Sequence, residues 1–155
     1  MMRTDYLALM LFVAAATACS SSSPTPAANG DDNTAGDGGS AAPATFTQIY
    51  ADIISKDCTS CHVPGGIGVT EGMLDMSTQA TAYTNLVNTP AAGAACSGMG
   101  TRVVPGAADK SIFYLKVSDD DPTPCGEKMP LGGTPLTGAE SDEIEGWIHA
   151  GAMND

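Results

Sequence analysis

Within five residues, Cys58-Thr59-Ser60-Cys61-His62, the chain sets two thiols and an imidazole at the end of an amphipathic stretch, and no other feature constrains the fold as much. Upstream, Phe46, Ile49, Tyr50, Ile53 and Ile54 fall at i, i+3, i+4, i+7 and i+8, the period of a helix with one buried face. That helix runs directly into Cys58. Two thiols three positions apart stand about one helical turn from each other, so both can bond one flat partner while the adjoining His62 reaches it from below. The same pair could instead bind zinc or cycle as a disulfide. Zinc requires two further ligands at matching spacing, and none stands out.

The chain has 155 residues, and the first 42 do not read as core. Arg3 and the amino terminus precede an apolar run from Tyr6 to Ala16, too short to span a bilayer but of the length of a signal-peptide core. Ala16-Thr17-Ala18-Cys19 resembles a bacterial lipoprotein cleavage box, with Ala16 where that box usually has Leu. Residues 1–19 are therefore expected to be a lipoprotein-type signal with Cys19 as the lipidated residue, the alternative being an ordinary secretory signal. Ser20, rather than Asp, after Cys19 fits lipid anchoring at the outer membrane, on its periplasmic side. Residues 20–42 are Ser, Ala, Gly, Asp and Pro-rich, without a large apolar side chain, and form an expected disordered tether.

What remains, 43–155, is one domain whose core is marginal unless a cofactor or a disulfide supports it. The whole chain carries six basic and eighteen acidic side chains, a formal charge of −12. From Pro43 onward there are five basic and fourteen acidic ones, a net of −9. Nucleic acid is a poor partner for that surface. A protein with a basic docking face is a better one, although a plain solvated face is the ordinary explanation of the charge. Further helices are expected over Ser77 to Asn88, with Ser77 as N-cap and Asn88-Thr89-Pro90 as the stop, and over Ala108 to Val117. The last begins at a Thr137-x-x-Glu140 capping box, presents Ile144, Trp147 and Ile148, and ends at Gly151. No strand of length and no repeat is evident, so the fold class is all-α, three to four helices with long loops.

In an exported chain, C-x-x-C-H is the signature of covalent haem attachment: Cys58 and Cys61 would form thioethers with one haem c, and His62 would ligate its iron. A second axial ligand is then needed. Among Met73, Met76, Met99 and Met129, only Met129 lies in a loop with Pro directly after it, within Gly126-Glu127-Lys128-Met129-Pro130-Leu131-Gly132-Gly133. His149, near the end of the last helix, is the rival ligand; its ordinary role there is to favour the helix C-terminus. Cys96 and Cys125 are left over once lipid and haem cysteines are set aside, and export permits a disulfide between them. Two free buried thiols are the other reading.

Helix, C-x-x-C-H, a Met-Pro loop 68 residues beyond Cys61 and a Trp-bearing terminal helix together resemble the monohaem c-type cytochromes. Arg102-Val103-Val104-Pro105-Gly106, Lys128-Met129-Pro130 and Trp147-Ile148-x-x-Gly151-Ala152 are similar to haem modules of exported bacterial proteins. The resemblance covers about Pro43 to Ala152. It implies a cytochrome c-like domain around one haem, His62 and Met129 as axial ligands, and crossed first and last helices, with Phe46, Ile49 and Tyr50 against Ile144, Trp147 and Ile148. It implies electron transfer with redox partner proteins rather than an enzyme. A haem-based sensor or ligand-binding module, and a lipoprotein whose haem only completes the core, are the alternatives.

The chain departs from that family where a Gly-Pro step about ten residues past the haem histidine usually supplies a carbonyl to its other ring nitrogen. Pro64 comes only two residues after His62, so a carbonyl near Pro64 or Gly65 is expected to take that place. Gly65 to Gly68 reads as a flexible turn or as backbone close to a haem edge. Arg102 reads as a partner of a haem propionate or as a surface residue. The run Asp119-Asp120-Asp121 reads as a solvated loop.

Overall fold

Two capping boxes start the two helices that organise the core. Thr45 accepts the N–H of Gln48 through its hydroxyl (3.2 Å) while the Gln48 side chain accepts the N–H of Thr45 (2.9 Å), and Thr137 and Glu140 make the same reciprocal pair. The first box opens α1, Phe46–Ile49, and the second opens α5, Gly138–His149. Between them lie α2 (Ile67–Thr70), α3 (Gln79–Leu86), a 3-10 turn (Ala108–Lys110) and α4 (Ile112–Val117). This computed structural model describes residues 42–119 and 123–155. The expected signal, Cys19 and all of the tether but Ala42 lie outside the described residues, as do Asp120, Asp121 and Pro122.

The described residues are helical and contain no strand, only the isolated bridges Val87–Val103, Pro90–Thr101 and Thr101–Ser111. The all-α expectation holds, with three corrections. The first helix does not keep α pitch: beyond Ile49 it continues as a π-helical segment, Tyr50–Cys58. There the hydroxyls of Ser55 and Thr59 donate to the carbonyls of Ala51 and Ser55, four residues back, while the N–H of Thr59 reaches five back to Ile54. Side chains that claim the i−4 carbonyls favour such widening. Second, α3 is capped by Thr78, not Ser77, whose N–H is instead taken by the Asp75 carboxylate at 2.8 Å. Third, α2 forms where a Gly-rich turn was expected.

The core joins the two ends of the domain. Phe46 stacks on Trp147 with ring centroids 5.0 Å apart and meets Tyr83 edge-on at 5.2 Å, and Ile49, Ile144 and Ile148 are fully buried beside them. Tyr50 packs on the margin of this cluster. The tail completes it: the Trp147 indole donates to the Met153 carbonyl (2.8 Å) and the Tyr83 hydroxyl to that of Ala152 (2.9 Å). Asp155 then accepts the N–H groups of Phe46 and Thr47, which α1 itself leaves without partners. No helix of the described residues is long and apolar enough to cross a membrane.

Candidate functional site

The turn that ends the π-helical segment delivers Cys58, Cys61 and His62 to one wall of a cavity of about 560 Å³, within the usual range for small-molecule sites. The N–H groups of Cys61 and His62 both return to the Cys58 carbonyl, at 3.2 and 2.9 Å, so the three side chains are held by one local turn. Both thiols are free. Burial, with help from the neighbouring Asp57 carboxylate, pushes the Cys58 thiol up to about 12, which keeps it neutral at physiological pH.

His62 Nδ1 lies 2.9 Å from the Leu74 carbonyl. A carbonyl only accepts, so Nδ1 carries the proton and Nε2 keeps the lone pair. This corrects the expectation of a carbonyl near Pro64 or Gly65. The chain reaches Leu74 through α2: Gly68 N–H donates to the Cys61 carbonyl (3.0 Å), Leu74 N–H to that of Gly68 (3.1 Å), and Met76 N–H to that of His62 (2.7 Å). The glycines make this folding-back possible. A Cβ on Gly68 would collide with the His62 ring, and one on Gly66 with the Cys61 carbonyl.

Of the four candidate methionines, Met73 and Met99 are each 58 % exposed and do not line the cavity. Met76 lines it from the histidine's own side, tied there by its backbone bond to His62. Met129 lines it from the separate Gly126–Gly133 loop, half-buried and packed against the main core. His149 does not line it; it is exposed on α5, 3.4 Å from Glu145.

That loop is held from outside. Cys96 and Cys125 form a disulfide, S–S 2.09 Å, across 29 residues of chain. Lys116, in the last turn of α4, donates to the carbonyls of Cys125 and Glu127 (both 2.6 Å) and accepts the Met129 N–H on its own carbonyl (2.8 Å). Burial lowers the Lys116 pKa, and the Glu127 charge opposes that shift.

Arg102 is not a surface residue. It is 6 % exposed, lines the cavity, and donates to the carbonyls of Asn85 (2.8 Å) and Met73 (2.6 Å). Burial lowers its pKa, and among the described residues no carboxylate pairs with it.

The free thiols of Cys58 and Cys61, His62, Met76 and Met129 therefore share one largely apolar cavity, with the disulfide-bonded Cys96 also on its lining. Among the described residues no three His, Cys, Asp or Glu side chains converge closely enough to hold a single ion. Leu74 and Lys116 carry no functional role in the sequence reading, whereas Gly68 belongs to the segment read there as a flexible turn or as closely packed backbone. A backbone carbonyl leaves no sequence signal, but a glycine six residues beyond a histidine, within a short apolar segment, is a hint of close approach. Comparisons with protein families, with curated proteins and with solved structures found no match to this chain.

Proposed function

We propose that the chain is an electron-transfer protein of the monohaem c-type cytochrome kind, with a cytochrome c-like domain. The observation that carries the reading is the Nδ1–H of His62 bound to the Leu74 carbonyl, which leaves the Nε2 lone pair for a metal beside two free thiols on the same cavity wall. Leu74 lies twelve residues past His62, close to the spacing at which that family places its carbonyl. Bound there, haem c would supply a one-electron couple between ferric and ferrous iron.

In this reading Cys58 and Cys61 provide the thioether bonds, and His62, oriented by Leu74, provides one axial ligand. Met129 provides the other. A thioether favours the reduced state, so the pair sets a high potential. Arg102, buried and without an acidic partner among the described residues, would offer its charge to a carboxylate of the bound group. With His62 and Met129 both holding the iron, the chain would leave it no open position, so transfer of electrons, not catalysis, is the reading. The wider proposal is export on a lipid at Cys19, to the periplasmic side of the outer membrane, where the acidic domain would meet redox partners with a basic face.

The test is an optical and magnetic spectrum of the matured protein. One haem that resists acid-acetone extraction, and a weak long-wavelength sulfur-to-iron band that Met129→Ala abolishes, are expected. Rapid carbon monoxide binding to the reduced unaltered protein would favour a ligand-binding module instead. Release of the haem by extraction would refute covalent attachment.

A further inference from the structure

We propose that Lys116 is the positioning residue for Met129: it grips the ligand loop just before the methionine and at the methionine itself, and thereby decides how firmly the methionine holds the iron. This rests on the reading of Met129 as a ligand. Three hydrogen bonds tie residues 125–129 to α4, and all three end on Lys116. Its ammonium binds the carbonyls four and two residues before Met129. Its carbonyl takes the N–H of Met129 itself. The two ends of one residue thus fix both the path of the loop and the depth to which the methionine reaches.

The chemistry is suited to that task. α4 leaves its last carbonyls without intrahelical partners, and the Lys116 carbonyl is one of these, so the loop caps the helix. Hydrogen bonds from an ammonium are stronger than neutral ones. Gly126, between the two gripped carbonyls, has φ +55, and a Cβ there would lie 3.6 Å from the ammonium and 3.2 Å from Ala95, so the backbone comes close to both. The base of the clamp is well anchored, because Ile112, Phe113, Tyr114 and Val117 of α4 are buried. The Glu127 charge favours the ammonium form, and among the described residues Lys116 makes no ion pair.

The experiment compares unaltered holoprotein with Lys116→Met, which keeps the stem and loses the ammonium, and Lys116→Arg, which keeps the charge. Four quantities are read: the sulfur-to-iron band, the rate of carbon monoxide binding to reduced protein, the reduction potential, and the melting temperature. Lys116→Met is expected to weaken the band, to raise the carbon monoxide rate about tenfold or more, and to lower the potential. Lys116→Arg should restore most of each. Should Lys116→Met fail to accumulate, Lys116→Gln, whose amide can still reach one carbonyl, is expected to fall between the two. A lower melting temperature with an unchanged band and an unchanged carbon monoxide rate would overturn the proposal, because a merely structural lysine behaves that way. Absence of the band from unaltered protein would instead remove the ligand reading, and this proposal with it.

Discussion

The His62 wall and the Met129 wall of the cavity are held by different means. From Cys58 to Met76 the chain folds back on itself, and its bonds, Cys58 to His62, Cys61 to Gly68 and His62 to Leu74, join residues close in sequence. The Met129 wall has local bonds at its ends, from the Thr123 hydroxyl to the Gly126 carbonyl (3.0 Å) and from the Gly133 N–H to that of Pro130 (3.2 Å), but among the described residues none of these reaches Met129 itself. It depends on a disulfide that spans 29 residues and on a lysine 13 positions upstream. A wall closed by short-range bonds loses little entropy in forming, whereas a wall closed over long loops relies on each tie. Strain or reduction should therefore reach the methionine side first.

The largest effect is expected from cutting the long-range tie. Replacing Cys96 and Cys125 together by Ser removes a constraint on the unfolded chain worth about 3 to 4 kcal/mol for a loop of this length. Chemical denaturation should show that loss. The comparison adds a sharper expectation: reduced double-Ser protein should bind carbon monoxide more readily, while the Nδ1 proton of His62 keeps its hydrogen-bonded chemical shift. If that proton moves as much as the carbon monoxide rate does, the two walls are not independent and the contrast fails.

Gly68→Ala attacks the other wall. Within a short helix the change would ordinarily stabilise by up to about 1 kcal/mol, but here the new methyl would collide with the His62 ring. The collision should win, costing about 1 to 3 kcal/mol as overpacking does and pushing the imidazole off the Leu74 carbonyl. Melting curves would check the stability, and loss of the hydrogen-bonded Nδ1 proton the geometry. A neutral or stabilising result would mean that the histidine wall has slack.

The same contrast explains what could be read in the sequence. Phe46, Ile49, Ile144, Trp147 and Ile148 declare their helices by period, and the Thr137 to Glu140 box by residue type, because these features depend on neighbours a few positions away. Cys96 with Cys125 was accessible by elimination. The carbonyl of Leu74 was not, since the path through α2 that brings it back to His62 is set by close backbone approach at Gly66 and Gly68. Lys116 read only as a member of a short helix, and its task depends on a loop that tertiary contacts bring to it. Ser77 and Thr78 were both able to cap, and the Asp75 carboxylate decided between them by taking the Ser77 N–H. Arg102 reads in the sequence either as a propionate partner or as a surface residue, because its burial depends on carbonyls from two distant segments, at Met73 and Asn85.

The smallest expected effect lies in the support beneath the local wall, where the two capping boxes provide a control within one molecule. Glu140 accepts the Thr137 N–H at 2.7 Å and its hydroxyl at 2.8 Å, and these bonds hold its carboxyl below the ordinary glutamate range. The unfolded chain therefore takes up a proton at a higher pH than the folded one. The stability gained is present above the unfolded value, roughly 4.3, and is lost as pH falls through the lower folded value. The site is close to solvent, so the amount is under about 1 kcal/mol. Glu140→Gln keeps an acceptor but removes the titration, as Gln48 already does in the first box. Denaturation midpoints measured from neutral pH down to about 3 should fall less steeply for Glu140→Gln than for unaltered protein, and Gln48→Glu should make the fall steeper. Parallel curves for all three would show that acid sensitivity resides in other carboxylates and that the α5 cap contributes nothing to it.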